Sequence, residues 1–160
     1  MTGGLESAMD DRQIVVDGDA CPVKQEIASA AKALGVPVLM VSSFDHLIQA
    51  GEGVRTVQVD RSDQSADLYI ANHIRRGDVV ITQDYGLAAL ALSKHCYVLS
   101  FRGMQFHNED IEFMLDRRHH QAKARRNGKH SKGPKPITAE DKRIFQQKLT
   151  KLLQDLQENV

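Results

Sequence analysis

The sequence predicts an α/β fold: a mostly parallel sheet of five strands with helices wound on both of its faces. Three observations point there. Short β-branched runs with little polar alternation recur, at residues 14–16 (IVV), 36–41 (VPVLMV) and 79–82 (VVIT). Such runs suit central strands covered on both sides. Segments with apolar residues at helical spacing separate most of the strands, in the order strand–helix–strand–strand–helix–strand–helix–strand. Acidic residues follow two of the buried runs directly, as Asp17-Gly18-Asp19 and as Asp84.

Each element has its own justification. Pro22 suits the first turn of a helix. Val23, Ile27, Ala30, Ala31 and Leu34 then repeat at helical spacing, and Gly35 supplies the stop. Pro37 belongs at the start of the second strand. Phe44-Asp45-His46-Leu47-Ile48 is read as a turn of helix in a connection that Gly51-Glu52-Gly53 breaks. Residues 54–59 (VRTVQV) alternate apolar and polar, the mark of a half-exposed or edge strand. Ser65 is the expected N-cap of a helix running through Arg76 and ended by Gly77. A short apolar helix over 87–92 closes near Lys94 and His95, and 96–99 (CYVL) makes the fifth strand. Arg102-Gly103 opens a loop, and Ile111, Phe113, Met114 and Leu115 mark a further helix. Thr138 reads as an N-cap, with Glu140 and Asp141 favourable in the first turn. Ile144, Phe145, Leu149, Leu152, Leu153 and Leu156 form one apolar stripe, packed either on the sheet or on a second subunit.

At 160 residues the chain fits one domain with a helical appendage. The expected divisions are a loose tail at 1–12, an α/β body at 13–116 and a basic helical extension at 117–160 packed on the same body. No apolar stretch approaches the length needed to span a bilayer, and the N-terminus lacks the pattern of a secretory signal. Cys21 and Cys96 stand far apart, so reduced thiols and a cytoplasmic location are expected. Net charge is zero, but residues 1–100 hold 8 Lys/Arg against 13 Asp/Glu, and residues 101–160 hold 13 against 8. An acidic body with a basic C-terminal part suits two different partners, metal and phosphate being the obvious pair.

The acids have a predicted meeting place. If the strand order is 3-2-1-4-5, strands 1 and 4 flank the crevice where that order reverses, at their C-terminal ends. Asp17 and Asp19 end strand 1, and Asp84 lies just beyond strand 4. Asp67, in the first turn of the helix after strand 3, leans in from the side, and Asp63 is a weaker additional ligand. Hard carboxylate oxygens suit Mg2+ or Mn2+, which keep several waters and bind phosphate oxygens. Thr82 and Gln83 border Asp84 and are candidates to orient it. No Cys/His set has zinc spacing. No Walker loop, Gly-x-Gly-x-x-Gly or Gly-x-Ser-x-Gly elbow is present. Cys21 reads as a packing residue and Cys96 as core.

Four blocks occur in order: Val16-Asp17-Gly18-Asp19-Ala20-Cys21-Pro22-Val23-Lys24, Ala66-Asp67-Leu68-Tyr69-Ile70, Gly77-Asp78-Val79-Val80-Ile81-Thr82-Gln83-Asp84-Tyr85-Gly86-Leu87-Ala88 and Gly133-Pro134-Lys135. Together they resemble the YaiI/YqxD family of bacterial proteins, over roughly residues 13–155. That family looks like a branch of the PIN-like nuclease superfamily. The resemblance implies a PIN-like three-layer sandwich and a Mg2+- or Mn2+-dependent nuclease acting on RNA or DNA. Asp17, Asp67 and Asp84, with Asp19, then stand at the acidic positions. Many PIN-like nucleases carry a fourth acid soon after the third. Tyr85-Gly86-Leu87 offers none, so a second metal would need Asp63.

Arg117, Arg118, Lys123, Arg125, Arg126, Lys129, Lys132 and Lys135 form a run of cations with no acid among them. It is either a phosphate-binding arm that steers nucleic acid, RNA before DNA, toward the crevice, or a solvated helix face that balances the acidic body. Lys24 and Arg102 are further candidates for phosphate contact. Two other readings compete with the nuclease. Asp-x-Asp after strand 1 is also the nucleophile and acid pair of haloacid-dehalogenase-type phosphatases, with Asp17 as nucleophile and Gly77-Asp78…Asp84 as a loose echo of their late acidic motif. Against it stand Pro22, the absence of a cap insertion after strand 1 and the short chain. The third reading is a non-catalytic RNA-binding protein.

Overall fold

A computed structural model describes residues 12–43, 53–60, 65–116 and 136–158. Asp63, the connection at 44–52 and the basic run with Arg117, Arg118, Arg125, Arg126, Lys129, Lys132 and Lys135 lie outside the described residues.

Six strands form one sheet: β1 (Ile14–Asp17), β2 (Val38–Ser42), β3 (Val54–Gln58), β4 (Val79–Ile81), β5 (Tyr97–Leu99) and β6 (Gln105–Phe106). Their order is β3-β2-β1-β4-β5-β6. The first five are parallel, and β1 is paired on both sides, Val15 lying opposite Leu39 of β2 and Val80 of β4. The reversal of strand order therefore falls between β1 and β4, as the alternation of elements predicts. At the edge, β3 is half-exposed as expected but does not alternate strictly: Val54 and Val57 are half-buried on opposite faces of the sheet, and Arg55, Thr56 and Gln58 are exposed.

β6 is the departure from a five-stranded sheet. It pairs antiparallel with β5 through Val98–Phe106 and Leu99–Gln105. The turn before it is built by Ser100, whose hydroxyl accepts from Arg102 N at 3.2 Å and Met104 N at 3.0 Å. Gly103 takes φ +84° there. A two-residue strand shows no alternation, so its sequence reads as a loop.

The helices are α1 (Lys24–Leu34), α2 (Ser65–His73), α3 (Tyr85–Ser93), α4 (residues 111–116) and α5 (Ala139–Glu158). Alternate strand residues feed two cores, as the pleat requires. On one face Ile14, Val16, Val38, Met40 and Ile81 pack against Ile27 and Ala30 of α1 and Phe145, Leu149 and Leu153 of α5. On the other, Val15, Leu39, Val80 and Val98 pack against Ile70 of α2, Leu87, Ala88 and Leu92 of α3, and Met114 of α4. The apolar stripe of α5 thus meets the sheet and α1. Thr138 caps α5: its hydroxyl accepts from Asp141 N at 3.1 Å, and Asp141 accepts from Thr138 N at 3.0 Å. No helix among the described residues is long and apolar enough to cross a membrane.

The N-terminal ends of the strands are tied by Asp78, which is 1% exposed. Its carboxylate accepts from Arg75 N at 2.8 Å, Gln13 N at 3.3 Å and Gln13 Nε2 at 3.4 Å. This carboxylate joins the start of β1 to the start of β4. It sits at the opposite end of β4 from Asp84, so these two acids do not share a site as the phosphatase echo requires.

Candidate functional site

Asp17 is the last residue of β1, and its run of buried neighbours ends with it. The chain leaves β1 so close to β2 that Gly18 N donates to Val41 O at 2.7 Å. A Cβ on Gly18 would lie 2.9 Å from that same oxygen, so only glycine fits. Ala20 follows in the left-handed region, at φ +57°, an unfavourable conformation for a residue with a Cβ. The loop is then closed by a Cys21 N to Gly18 O contact of 3.4 Å before α1 begins at Lys24. This tight loop fixes where the Asp17 and Asp19 side chains point.

On the other side of the crevice, Thr82 follows β4 and is fully buried. Its hydroxyl donates to Asp17 Oδ2 at 3.2 Å and accepts from Asp84 N at 3.0 Å. One hydroxyl therefore touches both acidic segments across the β1–β4 boundary. Asp84 is the N-cap of α3, its carboxylate accepting from Leu87 N at 2.9 Å. The positive end of the α3 dipole also favours its charge.

The electrostatics follow from this geometry. Burial pushes the Asp17 carboxyl up to about 6. The Thr82 hydrogen bond opposes that shift, and the charges of Asp19 and Asp84 add to it. A proton or a cation relieves such a group. Asp19 goes the other way. Partial burial raises it, but hydrogen bonds from Ser43 and Ser42 outweigh that, the Lys24 charge helps them, and the net direction is down. Its Oδ1 accepts from the Ser42 hydroxyl at 2.9 Å and Ser43 N at 3.0 Å, and its Oδ2 accepts from the Ser43 hydroxyl. The Cys21 thiol is pushed by burial to about 11, which leaves it protonated and unreactive at neutral pH. Burial does the same to Cys96.

The structure thus gathers Asp17, Asp19, Thr82 and Asp84 at one mouth of the sheet. Asp67 lies in the first turn of α2 and is half-buried. Among the described residues, no three Asp, Glu, His or Cys side chains are placed to hold one metal ion together. The donor set that remains is a pair of carboxylates, which fits the habit of Mg2+ of binding one or two protein carboxylates and completing its shell with water.

The other singled-out residues do different things. Gln83 Oε1 accepts from Phe101 N at 2.8 Å, so its side chain steadies the loop after β5. Arg102 Nη1 reaches Asp141 Oδ2 at 3.0 Å, pinning that loop to the first turn of α5. Lys24 opens α1, where its charge acts on Asp19. Ser42 and Ser43 escaped the sequence reading. The only signal for them was their place, a pair of hydroxyls ending β2 next to the strand that carries Asp17.

Comparison with known proteins agrees with the resemblance. A family described as "Uncharacterized BCR, YaiI/YqxD family" matches residues 15–155. A UPF0178 protein of Bacillus velezensis is 47% identical over 144 residues, covering 89% of this chain and 86% of the relative. The UPF0178 protein Lmo1456 of Listeria monocytogenes is 43% identical over 143 residues, covering 89% and 96%. A UPF0178 protein of Bacillus anthracis is 47% identical over 135 residues, covering 83% and 92%. No solved structure matches the chain. With a family match spanning the sheet, the acidic mouth and most of α5, the chain belongs to the YaiI/YqxD family of bacterial proteins.

Proposed function

We propose that this protein is a Mg2+- or Mn2+-dependent nuclease that hydrolyses phosphodiester bonds, in RNA before DNA, at the crevice between β1 and β4. The observation that carries the reading is the Thr82 hydroxyl, bonded at once to the Asp17 carboxylate and to the backbone of Asp84. It holds two acids from distant parts of the chain on either side of the switch point, the place where α/β sheets bind ligands. The likeness of the acidic positions to those of PIN-like nucleases supports the same chemistry.

Asp17 and Asp84 would be the protein ligands. A cation bound there supplies a water of lowered pKa and offsets the negative charge that develops on a phosphate. Asp17 would hold the ion as its carboxylate, and Thr82 keeps one of its oxygens oriented. Asp84 is held by its N-cap bond, so its position is set before any substrate arrives. The cations at 117–135 would hold the nucleic-acid backbone, and Arg102 and Lys24 are further candidates for phosphate contact. A cytoplasmic setting suits the two free, buried cysteines.

The test uses end-labelled RNA and DNA oligonucleotides with purified protein. Cleavage is expected with Mn2+ or Mg2+, none with a chelator, and a loss of at least about 100-fold in Asp17→Asn with unchanged circular dichroism. Full activity in that variant, or cleavage indifferent to metal, would overturn the proposal.

A further inference from the structure

We infer that Asp19 is a positioning residue: its carboxylate clasps the Ser42–Ser43 end of β2 and so holds the loop that aims Asp17. This rests on the proposed metal site and assigns the role of one of its acids. Both Asp19 oxygens are engaged. Oδ1 accepts from Ser42 Oγ at 2.9 Å and Ser43 N at 3.0 Å, and Oδ2 accepts from Ser43 Oγ. Three of the roughly four acceptor positions of this carboxylate are thereby filled, which leaves at most one for any other partner.

The clasp has a definite mechanical task. The loop it closes contains Ala20 in the left-handed region at φ +57° and Gly18 pressed against Val41 O. Such a backbone persists only where its surroundings overdetermine it. β2 supplies two constraints: the Gly18 N to Val41 O bond at 2.7 Å and the Asp19 clasp immediately beyond it. With both in place the loop cannot swing away from β2, and Asp17 stays within reach of Thr82 at 3.2 Å. Residues that orient a ligand from behind commonly change metal affinity about 10- to 100-fold when removed.

The experiment measures Mn2+ affinity by calorimetry in the full chain, without nucleic acid, for wild type, Asp19→Ala, Ser43→Ala and the double variant. Positioning predicts that Asp19→Ala weakens Mn2+ binding by about tenfold, that Ser43→Ala, which removes one of the three donors, weakens it by a smaller but measurable factor, and that the double variant is no weaker than Asp19→Ala, since the clasp is already broken there. A direct ligand predicts near-normal binding in Ser43→Ala and a loss of about 100-fold or more in Asp19→Ala; that pattern overturns the inference. Hydrogen exchange of the Ser43 amide gives a second readout. It should quicken at least about tenfold in Asp19→Ala whether or not the protein binds Mn2+, and unchanged exchange also refutes the clasp. A wild type that binds no Mn2+ would sink the proposed function, while the exchange result would still decide the clasp.

Discussion

Asp17 is the residue whose environment makes the clearest demand. Its folded-state value of about 6 lies above its ordinary 3.8 because burial and two neighbouring carboxylates oppose its charge. It therefore holds its proton more tightly folded than unfolded. This stabilises the fold most below about pH 4, and the contribution is lost as pH rises through 6. Asp17→Asn removes the penalty, so at about pH 7.5 the variant should exceed wild type by on the order of 2 kcal/mol in urea denaturation. The gap should close at about pH 4; an equal gap at both pH values would contradict the assigned cause. Gly18 makes the opposite prediction. Gly18→Ala places a Cβ 2.9 Å from Val41 O and should cost about 1–3 kcal/mol, read as a lowered melting temperature. The acids at this mouth were legible in the sequence because each follows a buried β-branched run. The serine clasp and the strained Ala20 were not. Hydroxyl and alanine types carry no local sign of a left-handed turn or of a partner 23 residues away.

At the level of elements, α1 and α5 share one face of the sheet and α2, α3 and α4 the other. Phe145 and Leu149 are fully buried among β-strand side chains, so α5 belongs to the core. Phe145→Ala should destabilise by about 3–5 kcal/mol, measured by chemical denaturation. A cost under about 1 kcal/mol would mean that α5 rests loosely on the sheet. Most elements could be read from periodicity because each has a single buried face or two. Helix ends shifted by a few residues: α2 stops at His73 and not at Arg76, where Asp78 draws the Arg75 amide into its own hydrogen bond. β6 was invisible for a different reason. Its two residues are defined by the Ser100 turn and by pairing with β5, and neither leaves a periodic trace.

The whole molecule separates charge along its length. The first 100 residues carry a net −5 and the last 60 a net +5. Such a division suits the proposed function, in which a cation and a polyanion are held at once. Neutralising Arg125 and Arg126 together should weaken oligonucleotide binding and reduce its salt slope by about 2, one for each phosphate no longer neutralised. Affinity unchanged at low ionic strength would assign the basic run another task. The strand order was legible as a whole-molecule property because α/β crossovers leave few choices, and the sheet reverses where the acids said it should.

The most direct test is anomalous scattering from crystals soaked in Mn2+. A single peak within coordination distance of both the Asp17 and Asp84 carboxylates, at about 2.1–2.3 Å, is the predicted result. A well-soaked crystal with no density between those two side chains, or with its manganese bound elsewhere, would contradict the account.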